Sequence, residues 1–267
     1  MNIGIDIGGS TTKIVGFIDG RIIDPLSVEA SDPIASASGA LGKFLTVNKL
    51  SLSDIKSIKI TGVGASFLGN ALLGLQLTKV EEFKALGYGG LFLSKLKKAV
   101  VVSMGTGTAF VKASPDGIFH LGGTGVGGGT ILGLSKAMVH LSNFETIIET
   151  ARSGKPDYVD LSISDISRIE IGNLPGHLTA SNFGKMNDQA TKNDVTLGIL
   201  TMVFQVIGML AIFAARAENY QDIVLTGKLV HVFRAEKTFS ELAELYKLQF
   251  HVPMHAEYCT AIGAAIS

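Results

Sequence analysis

Apolar residues in this chain fall into short runs broken by glycine, and their spacing alternates between that of strands and that of helices. Ile3 to Ile7 and Thr12 to Ile18 flank Gly8 and Gly9, and an Asp19, Gly20 turn leads into Arg21 to Ile23, which predicts a three-stranded meander. Residues 34–47 carry helical spacing, Ile58 to Thr61 and Gln76 to Val80 read as strands, and a helix is expected from Phe83 to Lys95. Val100 to Met104 opens a second meander, with Ser114, Pro115, Asp116 and Gly117 as its turn. Helices are then expected from Gly128 to His140 and from Phe144 to Arg152, before a looser stretch from Pro156 to Gly176. The rest reads as a helix around Asn182, a long apolar helix, a strand Ile223 to Thr226, a helix Glu236 to Tyr246, a strand Leu248 to Val252 and a closing helix from Tyr258. Meanders joined to alternating units make a mixed α/β chain.

The two meanders are copies. Gly8 and Gly105, Thr11 and Thr108, Asp19 and Asp116, and Gly20 and Gly117 all stand ninety-seven positions apart. A constant offset across four turn-forming positions implies that one strand-turn-strand device was built twice. The boundary between the copies falls best near Leu96 to Ala99, giving halves of 1–96 and 97–267. One segment, Val195 to Ala215, is uncharged and long enough to cross a bilayer, but Thr196, Thr201 and Gln205 interrupt it and strands follow it. A core helix is the expectation, with Gly198 and Gly208 admitting a close neighbour from the same chain or a second subunit.

Composition narrows the function. The 267 residues include 46% hydrophobic ones, ample for a buried core, and 23 basic residues balance 23 acidic ones. No stretch concentrates Lys or Arg with aromatics, so neither a nucleic-acid partner nor an anionic membrane surface is expected. Cys259 is the single cysteine, which leaves no internal disulfide and fits a reducing, cytoplasmic compartment. The amino terminus lacks the pattern of a secretory signal.

The candidate chemistry lies in the glycine turns. In the stretch Gly4 to Lys13, a strand ends at a glycine pair where an anion can approach backbone N–H groups, while Ser10, Thr11 and Thr12 add hydroxyls. Asp6 sits within the apolar strand before that turn, where a carboxylate calls for a cation such as Mg²⁺. Taken alone the motif is equally a tight hairpin with a capping Asp. The second copy suggests two turns closing on one nucleotide, with Thr106 and Thr108 facing phosphate and Ser103 where the first copy has Asp6. A third cluster, Gly122 to Leu134, runs into a helix whose amino end would offer free N–H groups and a positive dipole. It also matches G-x-G-x-x-G at Gly123, Gly125 and Gly128, but follows a hairpin strand rather than the first strand of a βαβ unit, which argues against a dinucleotide site. No P-loop motif is present. Gly227 breaks a strand where an adenosine could lie against backbone. Of Glu81 and Glu82, neighbours that point to opposite faces, one suffices as a proton acceptor. His251 and His255 lack the acids or cysteines of a metal site.

Taken together, the paired glycine turns, the Gly227 turn and the Tyr258 to Ser267 ending resemble the superfamily of sugar kinases, actin and heat-shock ATPases. The closer resemblance, from end to end, is to the type II pantothenate kinases, carried by "GIDIGGSTTK", "VEEFKA", "GTGT", "GGTGVGGGTILGL" and above all "LPGHLTASNFGKM" from Leu174 to Met186. It implies a duplicated actin-like, ribonuclease H-like α/β fold, with a nucleotide cleft between two domains. It implies ATP-dependent phosphorylation of pantothenate, the first step of coenzyme A synthesis, with Mg²⁺, in a homodimer. By that resemblance Glu82 matches the catalytic base; Asp6, Ile7, Gly8, Gly9, Ser10, Thr11, Thr12 and Lys13 match the first nucleotide loop. Thr106, Gly128, Gly129, Thr130, Ile131 and Leu132 match further nucleotide contacts, Phe144 an aromatic near the nucleotide, and Lys228 the adenosine turn. On the acceptor side stand Thr108 and His120, with Ala180 and Ser181 in a pocket completed by a partner subunit. His120 departs from the family, which has an arginine there, and an imidazole cannot make a guanidinium's forked contact. Four readings stay open at His120: it does a reduced version of that task, the acceptor is another small alcohol such as pantetheine or an amino sugar, activity is low, or the side chain merely faces solvent on the hairpin; a nucleotide-binding regulator without turnover is the rival outside the enzymes.

Overall fold

The computed structural model describes every residue except Ala30, Glu170, Ile171 and Asn173. The chain begins with β1 (Asn2–Ile7), β2 (Thr11–Ile18) and β3 (Arg21–Glu29), followed by α1 (Pro33–Asn48), β4 (Ser57–Thr61), β5 (Ala71–Leu72) and β6 (Leu75–Lys79). These strands form one sheet in the order β3-β2-β1-β4-β6-β5, with β1, β4 and β6 parallel. Ile3, Ile5 and Ile7 share one face of β1 and pack with Ala37, Leu41 and Phe44 of α1, as the two-residue strand period requires.

After α2 (Glu82–Ser94) come β7 (Ala99–Met104), β8 (Thr108–Ser114) and β9 (Gly117–Thr124), then α3 (Gly128–Val139) and α4 (Phe144–Arg152). A small ribbon follows, of β10 (Leu161–Ser162), α5 (Ile163–Ile166) and β11 (Thr179–Ser181), before α6 (Lys192–Ala217), β12 (Asp222–Thr226), α7 (Phe233–Tyr246), β13 (Gln249–His251) and α8 (Cys259–Ile266). The second sheet is β13-β12-β7-β8-β9, with β7, β12 and β13 parallel. Its meander and its parallel neighbours repeat the arrangement of the first sheet.

The helices after each sheet are exchanged. Helix α2 packs on β7, β8 and β9 of the second sheet, while α8 packs on β1, β2 and β4 of the first. Glycines permit both contacts: a Cβ at Gly87 would lie 2.5 Å from Ile118 Cγ2 of β9, and Gly4 of β1 is closed over by Ala261 and Ala265 of α8. The two helices also cross each other, with Gly263 against the Ala85 carbonyl and Gly89 against Cys259.

Helix α6 is a core helix. Its Val203, Phe204, Ile207 and Ala211 are fully buried in the largest apolar cluster, and Gly208 admits Leu242 and Phe239 of α7. A capping box starts it, with Thr191 Oγ1 donating to Asp194 at 2.6 Å, and the same carboxylate accepts from Lys155 N at 2.7 Å.

Two expectations change. No helix forms around Asn182; the chain makes β11 and a turn in which Phe183 adopts φ 60°. Side chains take over the local bonding there: Phe183 N donates to Asp160 Oδ1 at 2.9 Å and Asn182 Nδ2 to Gln205 Oε1 at 2.9 Å. Strand β3 also runs past Ile23 to Glu29 despite Pro25, because it is the sheet's edge and its pairing with β2 is bulged between Ile14 and Gly16.

Candidate functional site

Both meanders point their first turns into one cleft of about 900 Å³. In the first turn Gly8 N donates to Thr11 O at 3.0 Å; in the second, one residue tighter, Gly105 N donates to Gly107 O at 2.9 Å. The turns meet, with Ser10 Oγ 3.3 Å from Thr106 Oγ1. Two hydroxyls from opposite halves thus share one spot, and an anion lodged there would be gripped from both sides.

The third glycine cluster braces the second turn. Gly128 N donates to Gly105 O at 2.8 Å and Gly129 N to Thr106 O at 2.9 Å, so two of the N–H groups expected to be free are bonded within the protein. Both glycines pack tightly on that turn: a Cβ at Gly129 would sit 3.1 Å from Thr106 Cγ2 and one at Gly128 3.1 Å from Gly105 O. Thr130 closes the helix start, its hydroxyl donating to Gly125 O at 3.0 Å and accepting from Gly127 N at 3.1 Å. Thr108 is buried and donates to Val126 O at 2.8 Å.

Beyond α3, the cleft is lined by Leu132, Phe144, Gly227, Lys228 and Leu229, an apolar recess with one cation. Gly227 adopts φ 90° and its N donates to Ala256 O at 3.0 Å, with the Met104 carbonyl packed where a Cβ would stand.

Acids line the cleft as well. Asp6 is paired in register with Lys13 across β1 and β2. Burial pushes the Asp6 carboxyl up and the Lys13 charge pulls it back in part. Among the described residues Asp6 joins no ion pair. Glu82 is the first residue of α2 and opens to the cleft. The protein crowded around it raises its carboxyl above the ordinary range, and the Asp6 charge adds to that rise. Glu81 turns away and pairs with Lys84 at 3.7 Å on the surface.

Of the residues singled out in the sequence, Asp6, Gly8, Gly9, Ser10, Thr11, Lys13, Glu82, Thr106, Thr108, His120, Gly128, Gly129, Leu132, Phe144 and Lys228 line this cleft. The side chains of Ile7, Thr12 and Ile131 lie in the core, fully buried. Ala180 and Ser181 sit on β11, outside the cleft lining. Ser103, which matches Asp6 in the second copy, lines the cleft too, and sequence reasoning missed Glu29, Val63, Phe83, Glu257 and Thr260, all of which line it. A signal existed for Val63: Thr61, Gly62 after β4 repeats Thr226, Gly227 after β12, and Gly62 takes φ 87°.

A family model described as Fumble matches residues 95–267. A type II pantothenate kinase of Bacillus cereus (strain G9842) is 28% identical over 272 residues, covering 96% of this chain and 89% of that protein. That of Bacillus anthracis is 31% identical over 234 residues, covering 84% and 82%. Among solved structures, the activator of 2-hydroxyisocaproyl-CoA dehydratase from Clostridium difficile, with bound ADPNP, superposes with a TM-score of 0.71 at 17% identity, covering 99% of this chain and 92% of that one. A ROK family glucokinase from Streptomyces griseus, in complex with glucose and AMPPNP, gives 0.63 at 12% identity, covering 99% and 98%. These likenesses show the duplicated actin-like ATPase fold.

Proposed function

The chain belongs to the Fumble family, the type II pantothenate kinases, and on that premise we propose how its cleft transfers the γ-phosphoryl group of ATP to the primary hydroxyl of pantothenate. The observation that supports this most is the 3.3 Å approach of Ser10 to Thr106, with Glu82 on the wall of the same cleft. The halves 1–96 and 97–267 each supply one turn. The segment Asp6 to Lys13 and Thr106 hold the phosphates, with Lys13 as the nearest cation. The bare backbone at Gly128 and Gly129 lets the nucleotide approach, and Leu132, Phe144, Gly227 and Lys228 receive the adenosine. Ile7, Thr12 and Ile131 shape this site from beneath, and Thr130 keeps the start of α3 in place.

Glu82 accepts the proton of the attacking hydroxyl; the hydroxyl oxygen forms the new bond to phosphorus as the bond to ADP breaks. The acceptor lies between Glu82 and Thr108, where Thr108 offers only its oxygen lone pairs, its proton being held by Val126. Asp6 fits Mg²⁺: it is a cleft carboxylate without an ion-pair partner among the described residues, and Mg²⁺ needs only one or two carboxylates besides phosphate oxygens and water. When bound, the ion neutralises phosphate charge. Closure of the halves keeps water from competing with the acceptor. We place the enzyme in the cytoplasm, as a homodimer in which Ala180 and Ser181 meet the partner's acceptor site.

Incubation with γ-labelled ATP and a panel of pantothenate, pantetheine and amino sugars tests this reading. Label is expected in 4′-phosphopantothenate; transfer to another acceptor alone, or tight ATP binding with no transfer at all, overturns it.

A further inference from the structure

We propose that His120 is a positioning residue: its imidazole clamps Phe83 and so holds the adjacent Glu82 at the cleft wall. The inference rests on Glu82 being the base. The two rings are stacked, with centroids 3.9 Å apart and planes 8° from parallel. Phe83 is half-buried at the start of α2, directly after Glu82.

The stack is one of two matched contacts between α2 and β9. Phe83 and Gly87 are four residues apart and share a helix face; Ile118 and His120 are two apart and share a strand face. Gly87 meets Ile118, and Phe83 meets His120. The glycine contact sets how closely α2 approaches β9, but a glycine has no side chain with which to fix the helix's rotation about its axis. The flat ring pair does so at the end of the helix that carries Glu82. Pairing supports the same view: β9 is bulged against β8 between Phe110 and Val111, and His120 stands opposite Val111 at that irregularity. With its face committed to Phe83, His120 is used here as an aromatic plate, a task that does not need its charge.

The test compares His120→Ala and His120→Phe with the wild type in steady-state kinetics and, without substrate, in a ¹³C titration of the Glu82 carboxyl. An aromatic pair contributes enough to expect His120→Ala to lower kcat roughly three- to tenfold, with KM for pantothenate unchanged within about twofold. His120→Phe restores most of that loss. In the titration the raised position of Glu82 moves toward the ordinary carboxylate range in His120→Ala, as the unclamped helix end lets Glu82 swing from its place near Asp6, and returns in His120→Phe; Asp6 and Lys13, the charges facing it from β1 and β2, are the same in all three proteins. If both variants raise KM for pantothenate about tenfold, the imidazole binds the acceptor and the proposal fails. If kcat and KM are unchanged in His120→Ala, or His120→Phe is as slow as His120→Ala, it fails equally. The titration needs no acceptor, so a wild type inert toward pantothenate refutes the assigned substrate while an unmoved Glu82 refutes the clamp.

Discussion

Replacing Glu82 with glutamine removes the proton acceptor while keeping the shape of the side chain. The residue opens α2, where the helix dipole favours an anion but tolerates an amide, so the fold has no reason to change. General base catalysis by a positioned carboxylate is worth about 10² to 10⁴ in rate. Phosphoryl transfer passes through a loose transition state in which the attacking oxygen is still weakly bonded, so the proton leaves late and the lower end of that range applies. A loss of about a hundredfold in kcat is expected, equivalent to roughly 2.7 kcal/mol of barrier. The nucleotide recess of Leu132, Phe144 and Lys228 is built on other elements, and ATP affinity should stay within about threefold. Initial rates with labelled ATP and pantothenate give kcat, and calorimetry gives ATP binding. The wild type should also lose activity on its acid side above the ordinary carboxylate range, because burial and Asp6 raise the Glu82 carboxyl and the base works only when ionised. A variant with wild-type kcat removes Glu82 as the base, and one that loses ATP binding along with turnover places Glu82 in the nucleotide site instead.

Two further substitutions address the rest of the cleft. Asp6→Asn should raise the melting temperature near neutral pH while lowering turnover: burial lifts the folded carboxyl above its unfolded value, so ionisation opposes folding at higher pH, and the difference should vanish as pH drops below the unfolded value. It should also shift the acid limb of the kcat profile to lower pH, since the Asp6 charge helps raise Glu82; a lower melting temperature at pH 7 would contradict the reasoning. Gly227→Ala forces a side chain into φ 90° against the Met104 carbonyl, costing about 2 kcal/mol in chemical denaturation and raising KM for ATP, and unchanged values for both would show that the turn can relax.

The meanders were legible because strand alternation and turn residues are local properties. Asp19, Gly20 and Asp116, Gly117 end their hairpins where the sequence places them, with Gly20 at φ 80°. The helix exchange was not legible. A 3.6-residue period tells which face of α2 is apolar but not that Ile118, in the other half, will fill the space left by Gly87. Strand pairing likewise hid Glu29, which reaches the cleft from the end of β3 because it stands opposite Thr11 of β2. Asn182 illustrates the reverse, where a short helix-like stretch was overruled by Asp160 and Gln205, residues more than twenty positions away.

Duplication by itself would give a symmetric cleft, and a symmetric cleft has no reason to orient ATP. Gly62 and Gly227 show how much of the symmetry survives, with φ of 87° and 90° after equivalent strands, each leading into a short 3-10 turn. What differs is the charge around them. A Cβ at Gly62 would stand 2.5 Å from Asp6 Oδ1, whereas the second half has Ser103 at the matching position of its meander. Of the carboxylates that line the cleft, Asp6 and Glu82 sense each other's charge, while Leu132, Phe144 and Leu229 supply apolar lining. On the proposed reading a triphosphate sits where Ser10 meets Thr106, with the uncharged end of the nucleotide toward the apolar lining. On the same reading the γ-phosphoryl group lies beside Glu82, and the difference between Asp6 and Ser103 at matching positions is one source of the asymmetry that direction of transfer requires.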